Sequence, residues 1–72
     1  MKFQRKENTD TGETFTEVDC HSAMAKKIMH NHFTTLDNAA RYEELIMSDG
    51  RICISVKDRY NKIIVQLKEI KP

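Results

Sequence analysis

The residues best suited to chemistry in this 72-residue chain are His21, His30, His32, Cys20, Cys53 and the adjacent pair Glu43-Glu44. Imidazole, thiolate and carboxylate groups hold zinc or carry acid–base and nucleophilic steps only when their spacing brings them to one point. Here the spacing works against it. His30 and His32 stand two apart, roughly 200° around a helix axis, so one metal cannot take both while the helix continues. A zinc site drawn from Cys20, His21, His30 or His32, and Cys53 has no C-x-x-C or H-x-x-x-H pair to build on. The run His30-Asn31-His32 spells the label of the HNH nucleases, but their catalytic residues are dispersed through a ββα-metal fold, and the rest of such a set is missing. Glu43 and Glu44 would point to opposite faces of a strand and cannot act as a carboxylate pair. Cys20 sits near a helix start with Asp19 beside it, which opposes thiolate formation. The only glycines, Gly12 and Gly50, read as turn residues and not as a phosphate-cradling loop. The expectation is a non-enzymatic protein without metal or cofactor.

Size points the same way. A chain this short buries only roughly 60% of its unfolded surface, which leaves little room for a deep cleft. Hydrophobic residues at 39%, with two glycines and one proline, still support folding despite 32% charged residues. Residues 1–72 therefore read as a single small α+β domain. Two widely separated cysteines do not make a disulfide scaffold. The stretch MKFQRKENTD has no apolar signal-peptide core, and no window nears the roughly 18 apolar residues of a membrane span. A cytoplasmic protein that does not enter a membrane is expected. The net charge of +1 hides a gradient: −2 over residues 1–19, +2 over 20–34, −3 over 35–50 and +4 over 51–72.

The elements that must position these residues follow from periodicity. FQRKENTDTGETFTEV has a turn-rich centre from Asn8 to Gly12 between two β-prone flanks, which predicts a strand or hairpin. DCHSAMAKKIMHNHF places Met24, Ala25, Ile28, Met29 and His32 at helical spacing, with Asp19 or Ser22 as cap, and predicts an amphipathic helix over residues 20–33. Lys26, Lys27, His30 and Asn31 fall on its solvated side. Residues 35–47 are harder. As a helix they would put Glu43 in the apolar stripe and Leu45 in water, and the helix-then-hairpin order would resemble a winged helix. The preferred reading makes Asp49-Gly50 the centre of a two-residue type I′ turn, pairing Leu45 with Ile54 and Met47 with Ile52, with at most a short helical turn at Leu36 to Arg41. A four-residue loop over Asp58 to Asn61 then sets Val56, Ile54 and Ile52 opposite Ile63, Val65 and Leu67. Fold class is thus α+β: one amphipathic helix on one face of a small antiparallel β-sheet, a C-terminal three-stranded meander plus an N-terminal strand or hairpin.

In that register the outer face carries Glu44, Ile46, Ser48, Arg51, Cys53, Ser55, Lys57, Lys62, Ile64, Gln66 and Lys68. Its basic and apolar residues mark the candidate partner-binding set: Arg51, Cys53, Lys57, Arg59, Tyr60, Lys62 and Ile64. An apolar centre of Ile46, Cys53 and Ile64 favours a protein partner. The basic hairpin with Tyr60 at its tip makes a small nucleic-acid-binding regulator of winged-helix type the alternative, though the face lacks the aromatic pair on which single strands stack. Exposed strand edges would also suit a homodimer.

DCHSAMAKKIMHNHF followed by ELIMSDGRICISVKDRYNKIIVQL is similar, across residues 19–68, to small phage-encoded accessory proteins, including anti-CRISPR inhibitors. The similarity is one of size and layout. It implies a cytoplasmic inhibitor that occludes a surface of a host or defence-system protein handling nucleic acid. It carries no functional residue across, because these proteins share no motif.

Overall fold

The computed structural model describes residues 1–71 and shows one helix against a five-stranded antiparallel sheet. In chain order the elements are β1 (Lys2–Thr9), β2 (Gly12–Asp19), α1 (Ser22–Thr35), β3 (Arg41–Ile46), β4 (Ile52–Lys57) and β5 (Ile63–Glu69). The spatial order is β2-β1-β5-β4-β3, so the N-terminal hairpin adds to the free side of the meander through β1 and β5. No second helix forms between α1 and β3; Leu36 is already extended, and its carbonyl accepts the Ala39 N–H at 3.2 Å in a tight turn.

Helix α1 runs two residues beyond the expected end and starts two later. His21, not Asp19 or Ser22, is the cap: its Nδ1 accepts the Met24 N–H at 3.2 Å, satisfying one of the unpaired amides of the first turn. At the other end, the Thr34 and Thr35 hydroxyls both donate to the Asn31 carbonyl. Ala25 and Met29, one helical turn apart, are fully buried and meet Phe3, Ile54, Val56, Val65 and Leu67 from β1, β4 and β5. The helix packs on β3, β4 and β5, leaving β2 uncovered.

Both meander turns differ from expectation in length. Met47 and Arg51 pair across a three-residue loop, with the Met47 N–H donating to the Arg51 carbonyl at 2.7 Å and the Gly50 N–H to the Met47 carbonyl at 2.9 Å. This is a type I turn closed by a left-handed residue, Gly50 at φ +88; Asp49 does not take the positive φ that a type I′ turn would demand of it. Asp58 to Lys62 repeats the design, with Asn61 at φ +65 and the Asp58 carboxylate accepting the Tyr60 and Lys62 N–H groups. Aspartate and asparagine suit these places because their short polar side chains bond locally and tolerate left-handed backbone.

The consequences for register are unequal. The β3–β4 pairing slips by one, setting Tyr42 opposite Val56, Glu44 opposite Ile54 and Leu45 opposite Cys53. Leu45 and Ile54 therefore do not pair, and Leu45 turns to the outer face, 57% exposed. The β4–β5 pairing moves by two over most of its length, so Val56 faces Val65 and Ile54 faces Leu67, and the apolar side is preserved. A bulge beside Val56 and Lys57 leaves Ile64 as the extra residue.

Candidate binding surface

Cross-strand neighbours share a face, so the observed registers define the outer surface row by row. Glu17, Gln4, Lys68, Cys53 and Leu45 form one row across all five strands; Phe15, Lys6, Gln66, Ser55 and Glu43 form the next. No helix covers this side. Cys53 and Ser55 are nonetheless buried, at 8% and 3% exposure, because small side chains sit among longer neighbours on both flanking strands. Gln66 Nε2 donates to Ser55 Oγ at 3.1 Å, and Lys57 Nζ lies 3.0 Å from Glu43 Oε2. The middle of the face is therefore a closed polar lattice with a filled centre.

Open contact groups lie around it. Phe15 is 54% exposed, and together with Ile70 it borders a shallow depression floored by Gln4. Ile70, Lys68, Lys71 and Arg51 border the adjoining depression, also reached by Gln4. The Ile70 N–H donates to the Lys2 carbonyl at 2.8 Å, which fixes the chain end of β5 across β1. Phe15, Gln4, Ile70, Lys68 and Arg51 thus make one continuous surface running from β2 toward β4.

The seven residues expected to bind a partner are not one site. Arg59, Tyr60 and Lys62 share the β4–β5 loop, where the Arg59 guanidinium lies 4.8 Å from the Tyr60 ring centroid and donates to its hydroxyl. Arg51 stands at the far end of β4, about 20 Å away at ~3.3 Å per residue. It is clamped by Asp49 at 2.7 Å, and the Arg51 backbone N–H, with the guanidinium behind it, holds the Asp49 carboxyl below its ordinary range. Cys53 is buried, and Lys57 is paired with Glu43. Ile64 is not on the outer face: the bulge packs it against the core, beside His32 and Leu36. Ile46 and Glu44 likewise belong to the helix side, Glu44 lying 3.6 Å from Lys26 of α1.

The histidines do not converge. His30 stacks edge-on with Tyr42 at 5.7 Å and with Phe33 at 6.3 Å, while His32 lines a separate small cavity with Arg5, Glu7 and Ile64. Among the described residues no group of three or more His, Cys, Asp or Glu could hold a metal ion. An open groove of about 530 Å³ between α1 and β3, lined by Lys26, Lys27, His30, Tyr42 and Glu44, is not among the features the sequence predicts. Its signal is Tyr42-x-Glu44 on one strand face, visible once the register is right. Tyr42 donates to Glu44 at 2.6 Å, and burial, then the Glu44 hydrogen bond and charge, raise its pKa well above the ordinary value. No helix among the described residues is long and apolar enough to cross a membrane.

No protein-family model, curated protein or solved structure matches this chain.

Proposed function

We propose that this chain is a non-enzymatic binding module that docks a protein partner on the outer face of its sheet. The observation that carries the reading is the continuous uncovered surface of Phe15, Gln4, Ile70, Lys68 and Arg51. Apolar side chains beside cations, over a rigid hydrogen-bonded sheet, are the makings of a protein interface with an acidic rim. Lys68 and Arg41 make no ion pair among the described residues and remain available to such a rim. The residues with chemical potential have structural work instead: His21 caps, His30 stacks, and Cys53 lies buried under its neighbours. On the resemblance in size and layout to small phage-encoded inhibitors, the proposed partner is a host or defence-system protein that handles nucleic acid, and the proposed place of action is the cytoplasm. Occlusion of its working surface is the mechanism.

The alternative, a nucleic-acid regulator, draws on the loop of Arg59, Tyr60 and Lys62. It is the weaker reading, because that loop offers two cations and a single ring, and Lys57 beside it is already paired with Glu43. The test compares the wild type with Phe15→Asp/Lys68→Glu and with Tyr60→Ala/Lys62→Glu. Each is used for cross-linked capture from bacterial lysate and for anisotropy on labelled duplex DNA, single-stranded DNA and RNA across a salt series. A protein retained by the wild type and the loop variant, but lost by the sheet-face variant, supports the proposal. Nucleic-acid binding with a steep salt slope that vanishes in the loop variant overturns it.

A further inference from the structure

The two edges of the sheet are built differently, and the difference identifies an occupant for one of them. On β2, Glu13, Glu17 and Asp19 alternate on a single face around Phe15. An antiparallel pairing of β2 with another β2 centred on Phe15 sets Glu13 opposite Glu17, and one centred on Thr16 sets Glu13 opposite Asp19. Like charges directly opposed on a sheet repel, and charged side chains are a common guard on an open edge. Three carboxylates on one face thus disfavour self-pairing at the β2 edge.

On the same face as the helix the β3 edge carries a single carboxylate, Glu44, between Tyr42 and Ile46. The Met47–Arg51 hydrogen bond fixes the ladder, so Leu45 and Glu43 bond inward to β4, while the backbone N–H and C=O groups of Tyr42, Glu44 and Ile46 point to the open side. Ile46 is 81% exposed, the most exposed large apolar side chain among the described residues. Tyr42, four residues earlier on the same face, presents a ring already held by His30 and Phe33.

We infer that β3 is the docking edge for a second copy of this chain, paired antiparallel about Glu44 to give a continuous ten-stranded sheet. In this register each Ile46 lies over the second copy's Tyr42 ring, and Tyr42, Glu44 and Ile46 of both chains exchange about six backbone hydrogen bonds. The two Glu44 carboxylates meet at the axis. Each brings its compensation: its own Lys26 at 3.6 Å, the Tyr42 hydroxyl at 2.6 Å, and Lys27 in the adjoining groove. The pairing covers the exposed isoleucine, leaves the outer face free and requires nothing of the binding reading above.

The test is sedimentation equilibrium from low-micromolar to near-millimolar protein, together with amide hydrogen exchange at both ends of that range. The expected result is a shift from the 8.4 kDa chain mass toward twice that value. The Tyr42, Glu44 and Ile46 amides should gain protection as concentration rises. Ile46→Lys, at a site too exposed to unfold the monomer, should weaken association by about tenfold or more, whereas Thr16→Lys on β2 should leave it unchanged. A monomer throughout the range, a dimer indifferent to Ile46→Lys, or unchanged exchange at these three amides would overturn the inference.

Discussion

Leu45→Ala and Ile54→Ala together test the β3 register, on which both surface assignments depend. Ile54 has no exposed surface and lies in the core with Met29, Val56 and Leu67. Truncating such a residue costs about 2–5 kcal/mol through lost transfer energy and the cavity left behind. Leu45 is 57% exposed. Full burial of a leucine is worth about 1.5–3 kcal/mol, so less than half of that is at stake, about 1 kcal/mol at most. At roughly 0.05–0.15 kcal/mol per residue the whole domain has about 4–11 kcal/mol of stability. Ile54→Ala therefore removes a large share of it and Leu45→Ala a small one. Urea unfolding at dilute protein reads the difference: with a slope of about 1 kcal/mol per molar, the midpoint falls by about 2 M or more for Ile54→Ala and by less than about 1 M for Leu45→Ala. A Leu45→Ala variant as unstable as Ile54→Ala would place Leu45 in the core, restore the two-residue turn and remove the present outer face.

Two other expectations are simpler. Gly50→Ala should cost about 1 kcal/mol in the same urea assay, because φ +88 is strained for an L-residue, while nothing within 4 Å would clash with the new Cβ. A loss of several kcal/mol would show that the turn is packed and not merely left-handed. Tyr42 should make stability fall as pH rises above the ordinary tyrosine pKa of 10.0: the unfolded chain releases that proton while the folded chain, whose pKa is raised, retains it. The fall should be smaller in Tyr42→Phe than in the wild type, and equal alkaline slopes would show that burial beside Glu44 does not hold the proton.

Much of the architecture is legible because its periods are clean. Ala25, Met29 and their neighbours repeat at helical spacing, and Ile54-x-Val56 and Val65-x-Leu67 alternate as half-buried strands, so the helix, the meander and its apolar face are all readable. The N-terminal strand or hairpin is signalled by the turn-rich run from Asn8 to Gly12, and the observed hairpin closes at Thr9 and Gly12. Register is a different matter. In RYEELI, Tyr42 and Ile46 are apolar on one parity and Leu45 on the other, so hydrophobicity supports either face. The deciding quantity is the backbone at Asp49, and a D-G pair fits a two-residue loop as readily as the end of a three-residue one. Ile63-Ile64-Val65 is likewise apolar throughout, and a run without alternation cannot show which residue is the bulge.

That single-residue slip carries the functional argument. With Leu45 inward, Glu44 and Ile46 would decorate the outer face, and the groove between α1 and β3 would not exist. With Tyr42 inward, its ring meets Phe33 and His30, Glu44 reaches Lys26, and Ile46 is left at the edge beside an unpaired row of amides. The outer face gains Leu45, and its accessible surface centres on Gln4, Ile70 and Lys68 in place of the basic loop tip. The proposed binding face and the proposed self-pairing edge thus lie on different parts of one sheet. A second copy at β3 would leave both outer faces pointing the same way, since antiparallel pairing about a twofold axis normal to the sheet preserves the side on which each helix lies. The assembled surface would then present Phe15, Ile70 and Lys68 twice. A partner able to reach both sets would gain from effective concentration without any added contact, so a fold too small for a deep cleft can still provide an extended and specific interface.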